Sequence, residues 1–346
     1  MDKATETKES GPVTSSKNNS PWGFLNKIVS RRGFLKGAVQ VTAAGAVGAG
    51  IGKNFSPSDE EVKAEIQPLP KPDVTVVPIK GKNADITRRE IPGVVEKNDG
   101  VSVPLDKAPP IFDELSKDDV KRVTSFFKFE SFYKSLPSVE GQFARSLIEE
   151  SKSNLKKMGA LESDLANSER YKKMILDVLE KYEFSKEFKK SQIPKLLPGL
   201  IFQESKGLPY LISEAGAEGL CQIMPVNIPE LAKEIGLQDP DAFNPEHSIA
   251  MGLKYLESLY GLFTDEGLTL QAYNMGPTNM LDILNNVYPG NDLTSNNCAD
   301  FIKSHNINFV DVYWSEYMQN EVIGKWQYGD HIKTYVPNIL AADELM

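Results

Sequence analysis

The residues best placed to do chemistry in this chain lie between Pro194 and Pro225. Ile193, Leu197, Leu200 and Ile201 recur at helical spacing, and Glu204 falls four residues beyond Leu200 and seven beyond Leu197, on the same face. Burial disfavours the charged form of a carboxylate, and the C-terminal end of a helix adds partial negative charge beside it. Both effects favour the protonated acid, which is what a general acid requires near neutral pH. Gly207 and Pro209 stop the helix and leave the carboxylate at the mouth of a cleft. An isolated Glu-Ser pair would be read as the solvated last turn of an amphipathic helix, so its significance depends on the residues downstream.

Four blocks succeed one another in order. Glu204 and Ser205 lead into Ser213, Gly216, Ala217, Gly219, Leu220, Gln222, Met224 and Pro225, a small-residue loop ending in Met-Pro. Asn244 to Gly252, with Tyr255 and Leu256, reads as a helix with Asn244 as N-cap and Pro245 at its first position; its apolar stripe of Ile249, Leu253, Leu256 and Tyr260 is packing, not chemistry. Ala272-Tyr273-Asn274-Met275-Gly276 is a helix tip, closed by Gly276 and Pro277, that can present Tyr273 and Asn274 to a cleft; taken alone it would be a core Tyr with a capping Asn. Lys333-Thr334-Tyr335-Val336 comes last and gains weight only from its place in the series.

In this order and spacing the blocks, over roughly residues 190 to 340, resemble the catalytic core of the lytic transglycosylases. Two positions depart from the family's pattern. Cys221 stands where Met is usual, a smaller apolar group suited to the same packing. Pro198 falls inside the Glu204 helix, which must therefore kink or start late.

The resemblance implies a mostly α, lysozyme-like α(+β) catalytic domain that cuts the β-1,4 bond between N-acetylmuramic acid and N-acetylglucosamine in peptidoglycan. Glu204 would be sole acid and base, with the muramoyl C6 hydroxyl as an internal nucleophile, so the usual carboxylate pair is not required. Ser205 would orient Glu204; Ser213, Gln222 and Asn274 would hydrogen-bond sugar; Met224 would line an apolar floor; Tyr273 and Tyr335 would position the carboxylate. Gly216 and Gly219 serve loop conformation. No cofactor or metal is implied: of the three His, His247 starts a helix, and His305 and His331 have no ligand-spaced neighbours. Two rival readings stay open, a goose-type-lysozyme-like hydrolase using Glu214 or Glu218 as a second acid, and a non-catalytic glycan-binding scaffold.

The elements that must position this machinery divide the chain into 1–64, 65–110, 111–190 and 191–346. Ser30-Arg31-Arg32-Gly33-Phe34-Leu35-Lys36, succeeded by an Ala/Gly/Val stretch to Gly52, resembles a twin-arginine export signal, with the twin-arginine translocase as partner and an exported, periplasmic location. The segment is either cleaved after Ala64 or kept as an inner-membrane anchor. Residues 65–110 are rich in Pro, Gly and charge and read as an extended linker, with a short β piece around Val74 to Ile79 as the alternative. Residues 111–190 show helical periodicity in Phe126, Phe127, Phe129, Phe132, Tyr133, Phe143, Leu147, Ile148, Tyr171, Ile175, Val178 and Leu179, expected to be buried helices packed on the catalytic domain. Val287 to Asp330, with Tyr313, Trp314, Tyr317, Trp326 and Tyr328, would form a cleft wall. A formal charge of −9 and a pI near 5.1 argue against nucleic acid as a partner. Cys221 and Cys298 are expected to be buried free thiols.

Overall fold

The computed structural model describes residues 115–128, 138–326 and 328–346, together with four short strands, β1 (Val76–Pro78), β2 (Ile86–Arg89), β3 (Glu96–Lys97) and β4 (Gly100–Val101). The twin-arginine stretch and the aromatics Phe129, Phe132 and Tyr133 lie outside the described residues.

The described residues are mostly helical, as expected. Helices α1 (Lys117–Phe126), α2 (Ser138–Leu155), α3 (Leu161–Glu169), α4 (Lys172–Lys181) and α5 (Lys186–Lys190) precede the Glu204 helix. Ser116 and Ser185 cap α1 and α5 by accepting from the backbone N–H groups of Asp119 and Phe188. The inward face is apolar: Tyr171, Ile175, Val178 and Leu179 are buried in the same core as the Glu204 helix. Phe143 departs from the expected burial. It is 49% exposed and its ring lies 5.5 Å from that of Trp314, itself 44% exposed, while Ile148, further along α2, carries the inward contact.

Pro198 sets where the Glu204 helix begins. A 3-10 turn, Ile193–Leu196, runs first, and α6 (Leu197–Ser205) starts with Pro198 in its opening turn, where a missing N–H has no helical partner to lose. Ile193, Leu197, Leu200 and Ile201 are all fully buried, as the periodicity requires. β5 (Leu211–Ser213) then pairs antiparallel with β2, Ile86 opposite Ser213 and Arg88 opposite Leu211, and β1 completes a three-stranded sheet in the order β1-β2-β5. Part of the stretch expected to be a linker is thus strand, joined to the strand that carries Ser213.

The rest of the chain is α7 (Ile228–Ile235), α8 (Pro245–Phe263), α9 (Glu266–Met275), α10 (Pro277–Val287), α11 (Cys298–His305), α12 (Phe309–Tyr313), a π-helical turn at Met318–Ile323, and α13 (Gly329–Leu345). Asn244 caps α8, its side chain accepting from Glu246 and His247 backbone N–H. α13 packs on α2 and α6. Where α6 meets α13 there is no room for a side chain: a Cβ on Gly199 would stand 2.4 Å from the carbonyl oxygen of Ile339. Gly199 lies five residues before Glu204 and Ile339 four after Tyr335. Close approach there brings those two side chains within reach of each other.

Candidate active site

Glu204 occupies the last turn of α6, half-buried, where the apolar stripe meets the surface. Tyr335 reaches it from α13: its hydroxyl donates to Glu204 Oε1 at 2.5 Å, and its ring is 1% exposed, held by the core. One turn earlier on α13, the ring of His331 lies 5.9 Å from that of Tyr335.

Ser205, next in sequence, is fully buried and its hydroxyl donates to the Ile201 carbonyl oxygen at 3.1 Å. A buried hydroxyl takes the acceptor of its own preceding turn. This bond lies in the turn of α6 that carries Glu204.

The loop after β5 folds back on itself. Ser213 Oγ accepts from the Ala217 N–H at 3.0 Å, while Glu218 and Ile223 exchange backbone bonds of 2.9 Å in both directions. Gly216 and Gly219, with φ of 78° and 76°, supply the left-handed turns this requires. Gln222 adopts the same region with φ of 51°, unusual for a residue with a side chain. Its amide nitrogen donates to the carbonyls of Leu211 at 3.1 Å and Gly219 at 2.9 Å. Its Oε1 is buried without a partner among the described residues. Met224 is 5% exposed at the start of the 3-10 turn Pro225–Asn227.

α9 ends at Gly276, with Tyr273 and Asn274 in its final turn. The Tyr273 hydroxyl donates to the Cys221 carbonyl at 2.7 Å and ties α9 to the Gln222 loop, and its ring packs 5.0 Å from that of Tyr255. Asn274 Nδ2 is buried without a partner among the described residues. Two amide groups, Gln222 Oε1 as acceptor and Asn274 Nδ2 as donor, thus keep unspent hydrogen-bonding capacity.

Cys221 is fully buried, its sulfur 2.7 Å from where a Cβ on Gly252 would stand, so the loop and α8 interlock there. Burial first, and the negative charge of Glu204 second, push its thiol well above the ordinary range. Cys298 is likewise buried and free, its thiol pushed up to about 12 by burial. Among the described residues no group of His, Cys, Asp and Glu could hold a metal ion.

Of the cleft-wall aromatics, Tyr313 is core, with its hydroxyl on the Lys333 carbonyl at 3.3 Å, whereas Trp314 and Tyr328 keep exposed faces. Lys206 closes α6 in the left-handed region with φ of 56°, a conformation that favours glycine.

Comparison with known proteins finds a family match over part of the chain. Residues 181–295 match the family described as Transglycosylase SLT domain, a span that includes Glu204, Ser205, Ser213, Gln222, Met224, Tyr273 and Asn274 and ends before Tyr335. Among solved structures, the 70 kDa soluble lytic transglycosylase from Escherichia coli is similar over 67% of this chain and 34% of that one, at 20% identity and a TM-score of 0.35. The chain therefore spans about a third of that protein's length.

Proposed function

We propose that this chain is a peptidoglycan lytic transglycosylase that cleaves the β-1,4 bond between N-acetylmuramic acid and N-acetylglucosamine and leaves a 1,6-anhydromuramoyl end. The observation that carries the reading is the bond from Tyr335 to Glu204, because it joins the last sequence block to the first at a carboxylate.

In this mechanism protonated Glu204 gives its proton to the glycosidic oxygen as the bond to C1 breaks. The substrate's own 2-acetamido group shares the positive charge that develops at C1. The Glu204 carboxylate then takes the proton of the C6 hydroxyl as that oxygen bonds to C1, and the enzyme returns to its starting state. With Tyr335 on Oε1, the travelling proton is assigned to Oε2. The spare capacity of Gln222 Oε1 and Asn274 Nδ2 suits hydroxyl and acetamido groups of a glycan. Ser213 and Met224 belong to the same loop and would contribute a polar edge and an apolar floor.

Export through the twin-arginine route, on Arg31 and Arg32, is part of the proposal, since peptidoglycan lies outside the cytoplasm. Among the described residues no helix is long and apolar enough to cross a membrane.

Muropeptides released from purified peptidoglycan in 18O-labelled water, read by mass spectrometry, test the reaction. Anhydro ends free of label are expected. Reducing ends bearing label would make the protein a hydrolase, and no release at all would make it a glycan-binding scaffold.

A further inference from the structure

A cavity of about 370 Å³ lies among α4, the start of α1, the end of α3 and the first turn of α8. Three cations and three carboxylates line it: Arg170, Lys173 and Lys181 with Asp119, Asp177 and Glu246. All but Arg170 are paired. Lys173 donates to Asp177 at 2.6 Å and Lys181 to Glu246 at 2.5 Å, while Asp119 accepts from Ser116 Oγ at 2.7 Å and from Arg122 at 3.3 Å.

Arg170 ends α3 as its C-cap and is half-buried. Its Nε is buried without a hydrogen-bond partner among the described residues, and its guanidinium forms no ion pair among them. A guanidinium presents a planar fork of donors that fits a carboxylate through two parallel bonds. Because the lining carboxylates are matched by their own partners, the charge left over in the cavity is positive. Met174 and Val178, one turn apart on α4, add an apolar strip to the same wall. A carboxylate on a short, partly aliphatic chain matches this lining, as in an acidic peptide.

The Arg170 end of the cavity adjoins the turn that follows Glu204. Tyr171, next in sequence, donates to the Gly207 carbonyl at 3.3 Å, and a Cβ on Gly207 would stand 2.6 Å from the Asn167 carbonyl carbon. The end of α3 is thereby seated against the chain three residues beyond Glu204. We propose that this cavity is a peptide subsite, in which Arg170 takes a carboxylate of the peptide carried by the glycan strand that lies at Glu204. The inference rests on the transglycosylase reading of Glu204. It gives the helices ahead of the matched region a part in choosing the substrate, with strands that keep their peptides preferred to bare glycan.

Isothermal titration calorimetry of the full chain with N-acetylmuramoyl-L-alanyl-D-glutamate, and with its diamide, tests the subsite directly. Wild type should bind the acid at least about tenfold more tightly than the diamide, the lower range for hydrogen bonds to a charged group. Arg170→Gln should abolish that difference, and Arg170→Lys, which keeps the charge without the fork, should restore part of it. Thermal unfolding of each variant shows that the fold is retained. Turnover is the second readout: the ratio of kcat/KM on peptide-bearing strands to that on amidase-stripped strands should fall about tenfold in Arg170→Gln. Equal binding of acid and diamide by wild type, or wild-type affinity for the acid in Arg170→Gln, would overturn the proposal. Acetate bound as tightly as the dipeptide would reduce the cavity to a general anion site and overturn it as well. A wild-type protein that cuts no glycan would instead end the transglycosylase reading, while the calorimetry still decides whether the cavity takes the peptide.

Discussion

Tyr335 and Glu204 meet through a 2.5 Å hydrogen bond although 131 positions separate them in sequence. The helices that carry them cross closely at Gly199, whose missing Cβ lets the backbone of Ile339 come down onto α6.

Removing only the hydroxyl isolates that bond. Tyr335→Phe keeps the ring, which is 1% exposed and packed in the core, so the fold should survive. Glu204 loses a donor, and the loss should slow turnover by an amount equivalent to roughly 1 to 3 kcal/mol. Steady-state rates and thermal unfolding of the same preparation separate the two effects, and an unchanged rate would remove Tyr335 from the site.

Gly199→Ala tests the helix crossing instead of the bond. The added methyl has backbone on one side and cannot be accommodated by a rotamer change, so the helices must part. Overpacking of this kind should cost about 1 to 3 kcal/mol in denaturant unfolding. Because the displaced helices carry Glu204 and Tyr335, turnover should fall in the surviving folded protein as well. Full activity at reduced stability would show that the site tolerates a shift at the crossing.

How much of this could be seen in the sequence depended on how local each signal was. The stripe of Ile193, Leu197, Leu200 and Ile201 was legible because helical burial has a fixed period, and Asn244 with Pro245 because a cap is a local bond. The late start of α6 came from Pro198 alone. Other features depended on distant partners. Pairing of β2 with β5 joins segments more than a hundred residues apart, and no pattern within 65–110 names that partner. Phe143 has a core residue's chemistry but lies on the outer side of α2. For Ser205, motif order gives the residue's place but not the direction of its hydroxyl, which donates to the Ile201 carbonyl. Lys206 left no signal, since its residue type does not announce a φ of 56° or the side-chain placement that seats it on Phe202.

Export is tested apart from chemistry. Lys at both Arg31 and Arg32 preserves the charge but removes the pair that a twin-arginine translocase reads. The folded variant should accumulate in the cytoplasm, detected by fractionation and by protease resistance. Normal export of that variant would assign the segment to the general secretory route.

The decisive substitution is Glu204→Gln. It keeps the shape of the side chain and can still accept the hydrogen bond from Tyr335, but it carries no acidic proton to give and no carboxylate to receive one. If Glu204 serves both proton transfers, neither step has a substitute. Turnover should then fall by at least about 100-fold, the lower range for general acid-base catalysis. Binding of undigested glycan strands should persist, because the loop holding Gln222 and the α9 tip holding Asn274 do not depend on the acid for their bonds. An inactive variant that still pulls down peptidoglycan is therefore the expected result. One that cleaves at the wild-type rate would place the chemistry elsewhere in the molecule.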